Sequence, residues 1–391
     1  MTENMSEQGV RVAQENGDSC LAGVTKSFWY HCSVLDALQS IRNNLPRFVN
    51  SLMPLVADKG CMPLLFLDGE SKVVSIDDAC FGTPENWFYI GDIHADFYAL
   101  HTLLQHIQLS CTDFKLVFLG DLVDRGDFPV ECIVLLLVWA MDHPGRVVWI
   151  AGNHDIAFAR DAETGLFTSS VIPSEFVNTL NEVGDLHELN VQVGEFFMAL
   201  AQRLPRALLF PDGLFATHGG FPLTDLHVQA FGLASREEYI AWLNSAACLQ
   251  DLTWTRITRY RKRMPNRLSK GCSYGFLDFD AFCNLKPEWF PVKRMVTGHE
   301  HVQEGFHLFQ EYLSNPALTL TGLGFDELSA DEFRYSNYRS CLTAGRHQRD
   351  ALPAKVEVPV DKISINQLRN IDETQRDDIV LQENTPIFCV Q

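Results

Sequence analysis

Short apolar runs recur through the middle of the chain, and each ends in a glycine followed by polar residues. Trp87-Phe88-Tyr89-Ile90 leads into Gly91-Asp92-Ile93-His94. Lys115 to Leu119 leads into Gly120-Asp121-Leu122-Val123-Asp124-Arg125-Gly126, and Val147 to Ala151 into Gly152-Asn153-His154-Asp155. Between the first two runs, Tyr98, Leu100, Leu103, Leu104 and Ile107 keep helical spacing, which predicts a helix over about 97–108. A second helix is predicted from Pro129, which suits a first turn where its N–H is not needed, to about Met141, before His143-Pro144-Gly145. Asp92 to Asp121 is 29 residues and Asp121 to Asn153 is 32, the length of a strand–helix–strand unit. Such alternation implies parallel strands joined by right-handed crossovers. Ligands of such sheets gather beyond the carboxyl ends of the strands, where Asp92, Asp121 and Asn153 fall.

The same pattern divides the rest of the chain. Residues 1–20 are expected to be disordered. Residues 21–84 form a helical N-terminal extension carrying Trp29, Tyr30, Val34, Leu35, Leu38, Ile41 and Leu45 at near-helical spacing, with a strand pair expected within 60–80. The main domain is placed at 85–344. Within it, 156–210 reads as a largely helical insertion walling the site, and 225–290 as mixed helical and irregular. Leu214 to Thr217 is a strand leading into His218-Gly219-Gly220, and Arg294 to Thr297 a strand leading into Gly298-His299-Glu300-His301. Leu318 to Thr321 is expected to be the last strand, and 345–391 a polar, acid-biased appendage.

Charge and cysteine usage narrow the classes. The chain has 391 residues and a formal charge of −19, so it is a poor general binder of nucleic acid, whose affinity rests on cations meeting phosphates. An anionic substrate must be drawn in locally, by metal ions or a basic island. The 11 cysteines are scattered with no Cys-x-x-Cys pair, which argues for free thiols in a reducing, cytoplasmic setting; export into a host cell fits as well. The N-terminus lacks the pattern of a signal peptide, and the longest apolar run, Cys132 to Met141, has 10 residues, too few to span a bilayer.

The chemistry lies at the strand ends. Asp92, His94, Asp121, Asn153, His218 and His299 offer carboxylate, imidazole and amide oxygen, a donor set suited to Mn²⁺, Fe²⁺ or Zn²⁺. Two such ions, typically about 3.5–4 Å apart, can clamp a phosphoryl group and lower the pKa of a shared water. Asp121, midway in the series, is the natural bridge. Any one of the glycine-led motifs could be an ordinary turn, since Gly, Asp and Asn favour turns. Arg125 admits two readings, a phosphate clamp or a structural ion-pair arginine.

The ordered series Gly-Asp-x-His, Gly-Asp-x-Val-Asp-Arg-Gly, Gly-Asn-His-Asp, His-Gly-Gly and Gly-His resembles the phosphoprotein phosphatase family of calcineurin-like metallophosphoesterases, in a bacterial-type form. Leu252-Thr-Trp-Thr255, Gly271-Cys-Ser-Tyr-Gly-Phe276 and Glu304-Gly-Phe306 are further echoes, and the match covers roughly 85–325. The resemblance implies an α/β fold with a central β-sandwich flanked by helices and a dinuclear metal site at the strand C-terminal ends. It implies that Asp92, His94 and Asp121 hold one ion, and Asp121, Asn153, His218 and His299 the other, with Mn²⁺ the expected metal. It assigns His154 to protonating the leaving group, Asp124 to orienting His154, and Arg125 and Asn153 to the substrate phosphate. The implied reaction is hydrolysis of phosphoserine or phosphothreonine, and by extension phosphotyrosine, in a protein partner, by direct attack of a metal-bridging hydroxide.

The match has departures. Ala95 and Asp155 stand where the family usually has Gly and Glu, and a second phosphate-gripping arginine falls near Lys270, with Arg267 close by. His301 gives Gly-His-x-His, a pattern of phosphodiesterase relatives, and is an additional candidate ligand. Rival readings are a symmetrical dinucleoside tetraphosphatase, another phosphodiester hydrolase, or an inactive scaffold binding a regulatory or targeting partner through its termini. Seven Lys and Arg between Arg256 and Lys270 form either a basic rim steering anionic substrate or a solvated loop.

Overall fold

The computed structural model describes residues 32–57, 64–65, 71–76, 87–110, 114–258, 260–266, 270–300, 306–309, 317–320, 345–347 and 388–390. Its strands are β1 (Val73–Ser75), β2 (Trp87–Ile90), β3 (Lys115–Phe118), β4 (Val147–Trp149), β5 (Phe158–Arg160), β6 (Phe167–Ser169), β7 (Ala207–Leu209) and β8 (Leu214–Thr217). They continue with β9 (Arg256–Ile257), β10 (Met264–Pro265), β11 (Cys272–Tyr274), β12 (Arg294–Thr297), β13 (Phe306–Phe309), β14 (Ala317–Leu320), β15 (Gly345–His347) and β16 (Phe388–Val390). The helices are α1 (Val34–Ala57), α2 (Phe97–Ser110), α3 (Pro129–Asp142), α4 (Glu175–Asn181), α5 (His187–Arg203), α6 (Thr224–Phe231), α7 (Arg236–Leu243), α8 (Ala246–Trp254) and α9 (Phe276–Cys283).

Two sheets face each other, in the orders β16-β15-β2-β3-β4 and β1-β7-β8-β12-β14-β13. The period-2 alternation of strand side chains builds this sandwich directly. Trp87 and Tyr89 of β2, Val117 of β3 and Val148 of β4 point inward, onto Leu208 of β7, Leu214 and Ala216 of β8 and Val296 of β12. The alternate residues Phe88, Ile90, Leu116, Phe118, Val147 and Trp149 point the other way, into a layer formed with α1, α2, α3 and α5. On the far side Val73, Ala207, Leu209, Phe215 and Met295 pack under α6 to α9. Because both faces of each sheet are covered, the strands read as near-continuous apolar runs.

β2, β3 and β4 pair in parallel, as do β8, β12 and β14. The carboxyl ends of β2, β3, β4, β8 and β12 therefore bring Asp92, Asp121, Asn153, His218 and His299 to one edge of the sandwich. α3 is buried from Pro129 to Ala140, which is why its sequence is apolar on every face. α1 joins the same core through Ala37, Ile41 and Phe48, and Arg42 pairs with Glu131 at 2.8 Å.

Three expectations are corrected. The described residues of 60–80 do not pair with each other: β1 lies parallel to β7, and Leu64 bridges to Val147. Residues 156–210 are not largely helical, since β5 and β6 form an antiparallel hairpin ahead of α4 and α5. Its turn is set by Asp161, whose Oδ1 accepts from the backbone N–H groups of Glu163 and Thr164, and by Gly165 at φ +71°. The last strand of the second sheet by sequence is β14, but β15 and β16 follow at the edge of the first. No helix among the described residues is long and apolar enough to cross a membrane.

Candidate active site

The loops after the strands carry unusual backbone. Six non-glycine residues adopt positive φ among the described residues: His94, Ala95, Asp121, Asp124, Arg125 and His299. All six lie in the site. Such conformations cost of order 1–3 kcal/mol each and persist where surrounding contacts impose them. Gly152 lies so close to Asp121 that a Cβ there would sit 2.1 Å from Asp121 Oδ1. At Gly298 a Cβ would sit 2.6 Å from Asp92 Oδ1.

Ala95, at φ +57° and fully buried, stands where relatives of this pattern usually have glycine. Ala95→Gly would relieve about 1–2 kcal/mol of left-handed strain. It would lose about 0.8 kcal/mol of methyl burial and roughly 0.4–1 kcal/mol through unfolded-chain entropy. The expected result in urea unfolding is a stability within about 1 kcal/mol of the parent. Ala95→Val, with a branched Cβ at the same φ, should lose at least about 2 kcal/mol.

The donors converge. His94 Nδ1–H donates to Val123 O at 3.0 Å, which leaves Nε2 facing Asp92 Oδ2 at 3.6 Å and Asp121 Oδ2 at 3.7 Å. His218 Nδ1–H donates to Leu119 O at 2.8 Å. Its Nε2 lies 3.0 Å from Asn153 Oδ1, 3.1 Å from His299 Nδ1 and 3.4 Å from Asp121 Oδ2. A backbone carbonyl thus fixes each of these two rings and turns the other nitrogen inward, the usual arrangement behind a metal-ligating histidine. The six sequence-predicted ligands form one cluster, all buried to 4% exposure or less, and so many converging acceptors suit a cation.

Electrostatics agree. Burial lowers the His94 pKa and keeps it neutral. Burial also opposes charge on His218, but Asp121 and Asp92 outweigh it and raise the imidazole to about 9. Burial raises Asp121, while His218 and His154 pull it well below the usual carboxylate range. Asp92 Oδ2 is buried with no hydrogen-bond donor among the described residues. An orphaned carboxylate oxygen is costly unless a cation meets it, so the residues present fit divalent ions. Two compact groups emerge, His94 with Asp121 and His154, and Asp121 with His218 and His299, with Asp121 common to both. The first differs from the expected Asp92, His94 and Asp121 by including His154. Asp92, whose buried Oδ2 has no hydrogen-bond donor among the described residues and lies 3.6 Å from His94 Nε2, is a further candidate donor there, while His154 Nδ1–H is engaged by Asp124 Oδ2 at 2.7 Å.

Asp124 is held in turn: its Oδ1 accepts from Phe176 N–H at 3.0 Å, at the start of α4. Glu175 accepts from the backbone N–H of Arg125 at 2.8 Å. The insertion after the third motif therefore braces two neighbouring site residues. Burial lowers the Arg125 pKa, opposed by Asp121 and Asp92, and a guanidinium remains charged there. Lys270 is not in the cluster; its ammonium lies over the Trp254 ring, 5.2 Å from the centroid, and Trp254 meets His299 edge-on at 6.4 Å. Arg267 and His301 lie outside the described residues.

Sequence reasoning gave four contributors no supporting role. Asp155 accepts from the N–H groups of Asp121 (2.9 Å), Gly152 (2.9 Å) and Leu122 (3.0 Å). Glu175 was hidden in an anonymous helix. Arg256 donates to the carbonyl of His299 at 2.7 Å and pairs with Glu300 at 3.6 Å. It also lies near enough to Arg125 to lower its pKa. Glu300 accepts from Ile257 N–H at 2.8 Å, tying the His299 loop to β9. The only sequence signals were that Asp155 and Glu300 interrupt motifs, and that Arg256 follows Trp254-Thr255 directly.

The profile of the calcineurin-like phosphoesterase family matches residues 88–303. The chain belongs to that family, and its cluster contains candidate divalent-metal-binding groups of the kind a metallophosphoesterase needs. It is 35% identical over 225 residues to a serine/threonine-protein phosphatase PP2A-like PPG1 from Candida albicans, covering 56% of this chain and 47% of that protein. It is 27% identical over 235 residues to the serine/threonine-protein phosphatase 2B catalytic subunit A1 of Saccharomyces cerevisiae, covering 56% and 38%. The chain thus spans about half the length of the curated relatives it matches. A solved protein serine/threonine phosphatase from Saccharomyces cerevisiae shares the fold with a TM-score of 0.50 at 17% identity, over 74% of this chain and 80% of that one.

Proposed function

We propose that this chain is a metal-dependent protein phosphatase that hydrolyses phosphoserine and phosphothreonine monoesters, with phosphotyrosine as a further candidate substrate. The observation that carries it is the buried convergence of Asp92, His94, Asp121, Asn153, His218 and His299 beside the His154–Asp124 pair and Arg125. The naming of relatives as serine/threonine phosphatases supports the choice of phosphoprotein over nucleotide. Asp92, His94 and Asp121 would hold one ion, and Asp121, Asn153, His218 and His299 the second; the donor set suits Mn²⁺, with Fe and Zn as alternatives. When bound, the ions supply Lewis-acid polarisation of the phosphoryl oxygens and a water acidic enough to be deprotonated near neutral pH. A cytoplasmic setting agrees with the free thiols of Cys248 and Cys283.

The chain's own residues do the rest. Arg125 offers a planar fork to the equatorial phosphate oxygens. Arg256, seated beside it on the His299 carbonyl, is the better candidate than Lys270 for a second cation at the phosphate. His154 presents Nε2 while Asp124 fixes its Nδ1–H, so His154 delivers a proton to the departing alkoxide oxygen and Asp124 steadies the ring. Asp124 owes its own aim to the Phe176 N–H.

The test is turnover by Mn²⁺-loaded protein of phosphoserine, phosphothreonine and phosphotyrosine peptides, a phosphodiester and a dinucleoside tetraphosphate. Fast monoester turnover that fails in Asp121→Asn is expected. Preference for the diester or the dinucleotide would overturn the reading. His154→Asn should lower kcat on the best peptide by about 10²–10⁴-fold with KM little changed, as for loss of a general acid. The loss should be smaller on an aryl phosphate, whose leaving group needs less protonation.

A further inference from the structure

Residues 252–277 hold seven Lys and Arg and no Asp or Glu, in a chain with 50 acidic residues against 31 basic. The described part of this island is attached to the site at its root. Arg256 in β9 donates to the His299 carbonyl, and β9 pairs in parallel with β11, which pairs antiparallel with β10. The outer turn is seated as well. Phe276 N–H donates to Tyr260 O at 3.3 Å and Leu277 N–H to Arg261 O at 3.1 Å, at the start of α9. Gly275 lies so tightly beneath it that a Cβ would meet Tyr260 O at 2.4 Å. Arg261 and Lys262 are exposed on this turn, next to Tyr260, which is 58% exposed. A solvated loop needs no such backbone anchors.

We propose that this three-stranded basic ridge reads the residues flanking the phosphorylated side chain and selects protein substrates with acidic flanks. The proposal rests on the protein-phosphatase reading above. Cations fixed on a ridge rooted at the reaction centre raise the local concentration of an anionic chain and penalise a basic one. The overall charge of −19 sharpens the contrast, because the rest of the surface repels the same substrate. It also disfavours nucleic acid, which needs a long cationic track.

The experiment compares kcat/KM for two phosphothreonine peptides that differ only in three flanking Asp against three Asn, on parent protein and on Arg261→Glu/Lys262→Glu. Both peptides are read on the same protein, so any loss of active fraction cancels in the ratio. The parent should favour the acidic peptide by about 10-fold at low salt, mainly through KM, shrinking toward one at about 0.5 M salt. The double variant should bring the ratio to one or below. A parent ratio near one, or a ratio unchanged in the variant, would overturn the ridge while leaving the phosphatase reading intact. Stronger competition by a single-stranded oligonucleotide than by an unphosphorylated acidic peptide of equal charge would overturn it in favour of a nucleic-acid surface. Turnover of the dinucleotide with neither peptide would sink the phosphatase reading and the ridge with it.

Discussion

Asp121→Asn should lower phosphatase turnover by at least about 10³-fold and leave the protein folded. The two consequences separate because the two oxygens of Asp121 have different tasks. Oδ1 accepts from the His154 N–H at 2.8 Å, and an asparagine carbonyl can keep that bond. Oδ2 faces His94 at 3.7 Å and His218 at 3.4 Å, and is the one carboxylate atom shared by the two donor groups. Asparagine removes its charge and places either an amide nitrogen or a neutral oxygen there. Manganese titration followed calorimetrically is the direct check: the parent should bind two equivalents, the variant fewer or far more weakly. Urea unfolding in chelator should give similar midpoints for the two. An Asn variant that binds two equivalents with parental affinity would show that Asp121 is not the bridge.

Much of this site was legible in the sequence for a physical reason. Strands buried on both faces must be apolar throughout, and they must stop where the chain turns toward the ligand, so Trp87–Ile90, Lys115–Phe118 and Val147–Trp149 announce themselves with the polar residue that follows. The paired sheet was legible only in part. β8 and β12 are runs of the same kind, but β1 and β7 have three residues each, and their pairing closes across more than 130 residues of chain. The hairpin at 158–169 was misread because its strands are also three residues long and half exposed, leaving too little periodicity to outweigh the helices that follow. The supports of the site were the least legible. Glu175 reaches the Arg125 N–H from 50 residues away, and Arg256 reaches the His299 carbonyl from 43. Motif spacing records which loop carries a ligand, not which distant side chain holds that loop still.

Asp155→Ala is expected to be the most destabilising single change among the site's supports, about 3–5 kcal/mol, and to weaken metal binding without removing a ligand. The Asp155 residue is 1% exposed and its carboxylate accepts three backbone N–H groups, those of the bridging Asp121 itself, of Leu122 and of Gly152 packed against Asp121. Burial and the neighbouring Asp121 charge raise its pKa to about 6, and the Gly152 and Leu122 N–H groups partly restore the charged form. That four-way balance is the signature of a group retained for what it holds. Truncation would orphan those three buried backbone donors and the Trp149 indole N–H, 3.4 Å from Oδ2, each costing about 1–3 kcal/mol, less whatever a water entering the gap recovers. It would also strip the Asp155 charge from Arg206, a buried guanidinium whose pKa burial already lowers to about 10. Asp121, at φ +55°, would then lose the bonds that impose its strained backbone, so its carboxylate would spread over several orientations. Manganese affinity should fall by about 10–100-fold, the range for loss of a group behind a metal ligand. Asp155→Glu discriminates between support and mere bulk. It keeps both acceptor oxygens, and with a small shift of the loop it should recover most of the manganese affinity while remaining less stable than the parent. Asp155→Asn, which turns an amide N–H toward donors, should fall near alanine in both measurements. Equal metal affinity in all four proteins would mean that Asp121 is oriented by its other contacts, with Asp155 serving the fold alone.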